Sequence, residues 1–287
     1  MGEALPKGLC RTLSLKVEGQ LCSVYVSDSS FLKKDTFPWQ KIVADILSGN
    51  GLVESVVKMG RGGIFFLSGG RLPFPIVVRQ YRHGGLGRFL SGARFFSKRR
   101  FLNELKLHKV VDDLGLATLQ ALAVIVVQKA DISFLVNGYY VTRRLSESVN
   151  FAEFLVKVKA SDRLKIACEI GTYLRKLHEH GIFYTDMHIK NILVGSRGEV
   201  FFIDFDKSEQ CKAPLSNYRR RINLYRFLRS IEKYCHRGGK WLEVDRAAFL
   251  IAYEPDFSKY TKLYQKLVFG LSWRRLFYKF GWWLNRS

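Results

Sequence analysis

Three oxygen-bearing side chains, Asp186, Asn191 and Asp204, have spacings that suit metal and phosphate chemistry. Asp186 and Asn191 lie five residues apart in a segment without helical or strand periodicity. Two short apolar runs, 192–194 and 200–203, follow with a polar, glycine-containing turn between them, and Asp204 ends the second run. This pattern predicts a β-hairpin that returns Asp204 to the neighbourhood of Asp186 and Asn191.

Two carboxylates and an amide in one small volume suit Mg²⁺, which binds a few protein oxygens together with substrate phosphates. An Asp, an Asn five residues later and a strand ending in a second Asp are typical of protein-kinase active sites. On this pattern Asp186 accepts the proton of an attacking hydroxyl, and Asn191 and Asp204 hold Mg²⁺ on the phosphates of ATP. The alternative is a surface hairpin with solvated turns. It does not explain why the Asp–Asn spacing, the apolar strands and the terminal Asp all match the kinase pattern.

A glycine-rich turn containing Gly60, Gly62 and Gly63 joins the predicted strands 53–57 and 64–67. Glycine lets the backbone approach phosphate oxygens without a Cβ in the way, so the turn is a candidate nucleotide-binding loop. A plain tight hairpin is the alternative. The position of the turn, upstream of a strand and of the candidate catalytic loop, favours phosphate binding.

Arg79 follows an apolar strand at the place where kinases carry the phosphate-binding Lys of V-A-I-K. Arginine can bind phosphate oxygens through two parallel hydrogen bonds, so the change preserves the charge. Glu104 lies in the predicted helix 98–111, where kinases place the acidic partner of that residue, and the pattern predicts an Arg79–Glu104 pair. The alternatives are an exposed Arg at a strand end and a surface Glu paired with His108 or Arg100.

The periodicities predict a mixture of strands and helices, and the resemblance of the motifs and their order to those of kinases implies an α+β, two-lobed protein-kinase-like fold. Residues 1–142 form the N-terminal lobe, an antiparallel sheet with a helix, and residues 143–287 form a mostly helical C-terminal lobe that contains the catalytic loop. The expected helices span 39–47, 98–111, 146–160, 162–180, 218–234 and 241–253.

Two local signals carry further expectations. Asn137-Gly138, between the β-rich runs 121–128 and 139–142, predicts a hairpin turn. His178 and His180 have no third partner at metal-ligand spacing, and we interpret them as helix-end residues that the helix dipole favours.

The chain of 287 residues has a formal net charge of +22, from 47 Lys and Arg against 25 Asp and Glu. Such a surface attracts polyanions: nucleic acid, an anionic membrane or a phosphorylated glycolipid. Five cysteines without a C-x-x-C motif indicate reduced cytosolic thiols. No apolar run reaches the length of a membrane span, so we expect a soluble or peripheral protein on the cytosolic side.

Several segments resemble the lipopolysaccharide kinase family, in particular the kinases that phosphorylate 3-deoxy-D-manno-octulosonic acid (Kdo) on lipid A. The resemblance is carried by GIFYTDMHIKNILV and FFIDFDKS, and it extends to GRGGIFFL, VVRQYRHGGL and NLYRFLRSIEKY. Two positions depart from the common kinase pattern. Tyr184 stands where kinases usually carry His, and Asp206 gives Asp-Phe-Asp instead of Asp-Phe-Gly, which is also similar to the Kdo-kinase form.

The resemblance implies an ATP- and Mg²⁺-dependent kinase that phosphorylates a Kdo sugar of Kdo-lipid A in lipopolysaccharide core biosynthesis. It also implies a peripheral location at the cytoplasmic face of the inner membrane of a Gram-negative cell. The tail 269–287 holds seven aromatic residues, four Lys or Arg and no acid, which suits a lipid–water interface, although a C-terminal helix packed on the lobe is the alternative. An anionic glycolipid and an anionic membrane are thus the expected partners, and nucleic acid is not.

Three other functions are open. A heptose kinase of the lipopolysaccharide core would share every catalytic residue. A small-molecule kinase of the aminoglycoside type fits the motifs. The net charge of +22 argues against it, because its substrate would also be cationic. A non-catalytic basic module that binds membrane or nucleic acid would explain the charge alone. The segment after Asp206 lacks a long activation loop and A-P-E, which argues against a protein substrate.

Overall fold

A computed structural model describes residues 10–28, 31, 37–49, 53–59, 62–69, 72–82, 93–128 and 135–284. The chain divides into two compact units, Met1–Ser146 and Glu147–Ser287. Helices accompany sheets whose strand pairs are antiparallel, so the predicted α+β class is confirmed.

The first unit is built on an antiparallel sheet in the order β1-β2-β7-β8-β5-β4-β3, with β6 pairing beside β8. The β2–β7 and β5–β8 pairs join strands that are distant in sequence, and the β7–β8 pair lies between them. The strands are β1 (Cys10–Val17), β2 (Gln20–Val26), β3 (Val53–Met59), β4 (Gly62–Leu67), β5 (Ile76–Gln80), β6 (Arg94–Phe95), β7 (Ala121–Gln128) and β8 (Val136–Arg143).

Helices cover both faces of this sheet because strand β7 in its interior is apolar on both sides. In β7, Ile125 and Val127 pack into one buried cluster with helix α1 (Trp39–Ser48), whereas Val124 and Val126 face the other cluster with helix α2 (Arg99–Asp113). Successive side chains of a strand point to opposite faces, which explains the division. The packing of α2 on the sheet brings its polar residue Glu104 against strand β5.

The predicted turn at Asn137-Gly138 is wrong, because both residues lie inside strand β8. Gly138 pairs with Val126 of β7. A Cβ at Gly138 would lie 2.5 Å from the ring of Phe101 on α2, so the glycine gives that ring the room to pack on the sheet. Long-range packing, and not turn chemistry, accounts for the glycine at this position.

The second unit is mostly helical, with short strands around the candidate catalytic loop. Strands β11 (Ile192–Val194) and β12 (Val200–Phe202) form the predicted hairpin, and β9 (Val149–Asn150) pairs with β11. Strands β10 (Ile182–Phe183) and β13 (Glu209–Gln210) form a second small sheet. The helices are α3 (Phe151–Lys157), α4 (Ala160–Glu179), α5 (Asn217–His236), α6 (Glu243–Tyr253) and α7 (Phe257–Leu284).

Helices α4 and α6 pack closely and are joined by a buried ion pair. The Nε of Arg163 donates to Oδ2 of Asp245 over 2.6 Å, and both side chains are buried. Asp245 also accepts a hydrogen bond from the backbone of Leu242 at the start of α6. Gly171 lies where a Cβ would overlap the carbonyl oxygen of Phe249, so the absence of a side chain sets how closely the helices approach.

Within the described part of the chain, no helix combines the length and apolarity needed to cross a bilayer.

Candidate active site

The loop between β10 and β11 carries Asp186 and Asn191, and β10 itself begins shortly after the end of helix α4. Gly181 adopts a φ of +76° and turns the chain out of the helix into β10. Residues 189–191 form a single 3-10 turn, and Asn191 immediately precedes β11. The loop is therefore held at both ends by short strands, which fixes where its two polar side chains emerge.

Asn191 links this loop to the end of strand β12. Its amide nitrogen donates to the carbonyl oxygen of Asp186 over 3.0 Å. The main-chain carbonyl oxygen of Asn191 accepts a hydrogen bond of 3.0 Å from the backbone nitrogen of Ile203, the residue before Asp204. Because Nδ2 is committed to the Asp186 carbonyl, Oδ1 is the side-chain atom that Asn191 offers to a cation.

Tyr184, the departure from the usual kinase His, makes the second link. Its ring is fully buried against Phe202 and Phe205, and its hydroxyl donates to the carbonyl oxygen of Ile203. Both backbone polar groups of Ile203 are thus bound to the catalytic loop. Tyr184 therefore supplies the support between loop and strand for which the sequence pattern expects a histidine.

Asp204 follows this doubly bound residue in a left-handed conformation, with φ of +68°. A non-glycine residue rarely adopts that conformation, which costs energy unless the surroundings hold it. The two hydrogen bonds on Ile203 provide that restraint. The structure thus places Asp186 and Asn191 in one loop and couples the backbone position of Asp204 to it.

The carboxylate of Asp186 is half-exposed and lies beside His188. Nδ1 of His188 accepts a hydrogen bond from the backbone nitrogen of Lys190, so in the neutral ring Nε2 carries the proton. That Nε2 lies 3.6 Å from Oδ1 of Asp186. The pKa of Asp186 is lowered, mainly by the polar contact with His188. Lys207 and Asn191 lower it further by smaller amounts, whereas burial acts in the opposite direction. Asp186 is therefore ionised and able to accept a proton at neutral pH.

One face of α5 holds the backbone of the same loop. Asn223 donates to the carbonyl oxygen of Tyr184 over 2.8 Å and accepts from its backbone nitrogen over 3.2 Å. Arg226 donates to the carbonyl oxygen of Thr185, and the hydroxyl of Ser230 accepts from the backbone nitrogen of Ile189 over 3.1 Å. These three residues recur at helical spacing, so one helix binds the loop at several points.

His178 lies behind Asn223 and is fully buried, which corrects its interpretation as a helix-end residue favoured by the dipole. Nε2 of His178 is 2.9 Å from Oδ1 of Asn223, an acceptor, so Nε2 donates and Nδ1 accepts from the hydroxyl of Tyr253 at 2.8 Å. Burial lowers the pKa of His178 to about 4 and outweighs the opposing hydrogen bond to Asn223; Arg220 lowers it further. The exposed His180 fits the helix-end interpretation, since its Nδ1 lies 2.8 Å from the carbonyl oxygen of Lys176.

In the first unit, Arg79 and Glu104 form the predicted pair. Nη2 of Arg79 donates to both carboxylate oxygens of Glu104, over 2.7 and 2.9 Å. Glu104 is fully buried, and it also accepts a hydrogen bond from the hydroxyl of Tyr81. The guanidinium carbon of Arg79 lies 5.2 Å from the centre of the Tyr81 ring and 5.7 Å from that of Tyr140. Aromatic rings and a carboxylate thus fix one end of an arginine that is still partly exposed.

The glycine-rich turn is only partly visible. Gly60 lies outside the described residues. Gly62 and Gly63 begin strand β4, where they pair with Met59 and Lys58 of β3. Ile64, the next residue, lies opposite Arg79 on β5, so the visible glycines are close in register to the arginine.

The oxygen atoms of Asn191 and Asp204 are the donor type that Mg²⁺ prefers. Among the described residues, no group of three or more His, Cys, Asp or Glu side chains could hold a metal ion. Two such ligands fit an Mg²⁺ ion that completes its coordination with phosphate oxygens and water. Both of these residues have the chemistry that an Mg²⁺–nucleotide complex requires.

Sequence reasoning missed the supporting residues His188, Asn223 and Ser230. The two-residue spacing of Asp186 and His188 was a usable signal, since it places an imidazole beside the candidate base. Asn223 and Ser230 had only a weak signal, as polar residues on the otherwise apolar face of a predicted helix.

Comparison with known proteins identifies what the chain is similar to. Residues 57–253 match the sequence model of the lipopolysaccharide kinase (Kdo/WaaP) family. A 3-deoxy-D-manno-octulosonic acid kinase of Vibrio vulnificus is 30% identical over 249 residues, which cover 83% of this chain and 96% of the relative. Proteins of the same name from Vibrio cholerae and Xylella fastidiosa are 31% and 27% identical, over 62% and 64% of this chain and 74% and 71% of the relatives. The matched region contains Asp186, Asn191, Asp204, Arg79 and Glu104.

Proposed function

This chain belongs to the lipopolysaccharide kinase (Kdo/WaaP) family, and we propose that it transfers the γ-phosphoryl group of ATP to a hydroxyl of the Kdo sugar of Kdo-lipid A. The observation that carries the proposal is the hydrogen-bonded assembly of Asp186, Asn191 and the end of β12. This assembly supports the proposed roles of Asp186 as general base and of Asn191 and Asp204 as cation ligands, because in-line phosphoryl transfer requires such groups to be held in fixed positions.

In this proposal Asp186 orients the acceptor hydroxyl and takes up its proton at a carboxylate oxygen. The lowered pKa keeps that carboxylate ionised, and His188 holds it from one side. Asn191 and Asp204 bind Mg²⁺ through side-chain oxygens, and Tyr184 maintains their separation by fixing Ile203. Mg²⁺ and ATP, when bound, supply the transferred group and the neutralisation of its charge.

Arg79 binds phosphate oxygens of the nucleotide, and Glu104 fixes its orientation. Support comes from the geometry of the pair: Nη2 of Arg79 binds the buried carboxylate of Glu104, and the arginine side chain is still partly exposed. The main-chain nitrogens near Gly60, Gly62 and Gly63 are the proposed contacts for the remaining phosphate oxygens.

The acceptor class agrees with the charge of the protein. Kdo-lipid A is an anionic, phosphorylated glycolipid, and the chain has a net charge of +22. We place the enzyme at the cytoplasmic face of the inner membrane as a peripheral protein, because that surface is anionic and carries the glycolipid.

The acceptor is tested with purified full-length protein, radiolabelled ATP, Mg²⁺ and two acceptors, Kdo-lipid A and a heptosylated core. We expect label on Kdo-lipid A, released with the Kdo sugar on mild acid hydrolysis. Label found only on heptose would make the protein a heptose kinase. No transfer to either acceptor, by protein whose fold is intact by circular dichroism, would refute the proposal.

A further inference from the structure

An open groove lies between helices α5 and α7, and the residues of α5 that line it are different from those that bind the candidate catalytic loop. Its volume is about 410 Å³. Helix α5 lines it with residues that recur every three or four positions and so share one face, namely Tyr218, Arg221, Ile222 and Tyr225. The opposite wall is formed by Lys266, Phe269 and Gly270 of α7.

Close packing between the two helices builds this groove. The hydroxyl of Tyr225 donates to the carbonyl oxygen of Lys266 over 2.7 Å, and Leu267 is buried beside it. A Cβ at Gly270 would overlap the Tyr225 hydroxyl, so the glycine lets the tyrosine form the floor. The groove therefore depends on a specific contact and is not an accidental surface depression.

The groove carries positive charge without a compensating acid. None of its lining residues is acidic. In the part of the chain that the structure describes, the side chains of Arg221 and Lys266 form no ion pair or hydrogen bond. Helix α7 contains six Lys or Arg and no Asp or Glu over its whole length. Two uncompensated cations on facing helices call for an anionic partner.

The same groove exposes large aromatic side chains at its edges. Tyr218 is 67% exposed and Phe269 is 70% exposed. Aromatic residues beside Arg and Lys are typical of the lipid–water interface. There the aromatic ring enters the apolar boundary and the cation contacts headgroup phosphates. The aromatic and basic sequence continues through the rest of α7, which includes three tryptophans. Tryptophan in that number favours a bilayer over a nucleic acid.

We propose that the α5–α7 groove binds the anionic headgroups of a phospholipid bilayer. Arg221 and Lys266 bind headgroup phosphates, and Tyr218 and Phe269 lie at the boundary with the acyl chains. This inference names the surface behind the proposed membrane location, and it does not depend on phosphoryl transfer.

The test is co-sedimentation of the full-length protein with vesicles of phosphatidylglycerol or of phosphatidylcholine. We expect binding to phosphatidylglycerol, and a loss of affinity on the order of tenfold or more in the double variant Arg221→Glu/Lys266→Glu. The matched control is Lys165→Glu/Lys176→Glu, which makes the same charge change at exposed positions of α4. The control should keep most of the wild-type affinity, and soluble glycerol phosphate should not compete.

Several results would overturn the inference: equal binding to both lipids, equal losses in groove and control variants, or unchanged vesicle binding in the groove variant. Loss of single-stranded DNA binding with vesicle binding intact would assign the groove to nucleic acid. Arg221→Gln/Lys266→Gln serves if charge reversal prevents folding, and a smaller loss is expected. Asp186→Asn should bind vesicles like wild type, which separates failure of this inference from failure of the proposed transfer.

Discussion

Arg79, the proposed phosphate ligand, forms an ion pair with buried Glu104 on which we expect stability to depend. Glu104 is fully buried, so removal of its arginine leaves a buried carboxylate without the ion pair that Arg79 provides. We expect Arg79→Ala to lower the free energy of unfolding of the first unit by about 3 kcal/mol, as is typical for breaking a buried ion pair. Urea titration measures this loss. Adding Glu104→Gln to Arg79→Ala should recover part of it, and equal stabilities of single and double variants would contradict the argument.

The hydroxyl of Tyr184 is the atom through which the catalytic loop restrains the residue before Asp204. Tyr184→Phe keeps the buried ring but leaves the Ile203 carbonyl oxygen without its donor. We expect kcat to fall about tenfold and the Mg²⁺ concentration for half-maximal rate to rise, as for other residues that orient a metal ligand. The loss of stability should be about 1–2 kcal/mol.

The matched control for this change is Tyr264→Phe. Its hydroxyl on α7 makes no hydrogen bond among the residues described by the structure, so neither kcat nor the Mg²⁺ requirement should change. A normal Mg²⁺ requirement in Tyr184→Phe would show that the tyrosine has only a packing role.

At the scale of elements, His178 joins α4, α5 and α6 through Asn223 and Tyr253. Folded His178 stays neutral until the pH approaches its pKa of about 4, whereas the unfolded chain takes up the proton near 6.5. The unfolded state thus binds more protons in this interval, and stability must fall as pH is lowered from 6.5 to 4. The contribution is at most about 3 kcal/mol.

Urea titrations at neutral pH and within that interval measure the effect on the second unit. His178→Gln should remove this pH dependence at the cost of lower stability at neutral pH. His180→Gln, an exposed neighbour on the same helix end, should keep the wild-type slope. The same slope in both variants would exclude His178 as its source.

The contact between α4 and α6 makes a second prediction at this scale. Alanine at Gly171 gains about 1 kcal/mol of helix propensity, but its Cβ would overlap the Phe249 carbonyl oxygen and lie 3.1 Å from the Tyr253 nitrogen. We expect a net loss of about 1–3 kcal/mol, because backbone atoms cannot move aside cheaply. Thermal unfolding of Gly171→Ala beside Thr172→Ala, an exposed neighbour, measures it. A Gly171→Ala protein as stable as wild type would refute the close-packing argument.

At the scale of the whole molecule, the elements that could be predicted from the sequence are those that neighbouring residues determine. The hairpin of β11 and β12 was predicted because two apolar runs flank a turn, and helix 39–47 was found at Trp39–Ser48 because its apolar spacing and terminal glycine are local signals. The Arg79–Glu104 pair could be predicted because kinase active sites supply the expectation of a partner.

Features that depend on distant partners could not be predicted in this way. Gly138 resembles a turn residue until Phe101 of α2 is known to pack against it. His178 resembles a helix-end residue because its partners, Asn223 and Tyr253, lie 45 and 75 residues further along the chain. The role of Tyr184 depends on Ile203, which only the folded hairpin brings to its hydroxyl.

The central claim is that Asp186 is the base of a phosphoryl transfer, and Asp186→Asn tests it most directly. The substitution keeps the shape of the side chain and removes the proton acceptor. With ATP, Mg²⁺ and Kdo-lipid A, we expect single-turnover transfer to fall on the order of a hundredfold or more, with binding of an ATP analogue retained. Glu179→Gln, which removes an exposed carboxylate from α4, should transfer at the wild-type rate. Transfer by Asp186→Asn at that same rate would contradict the account.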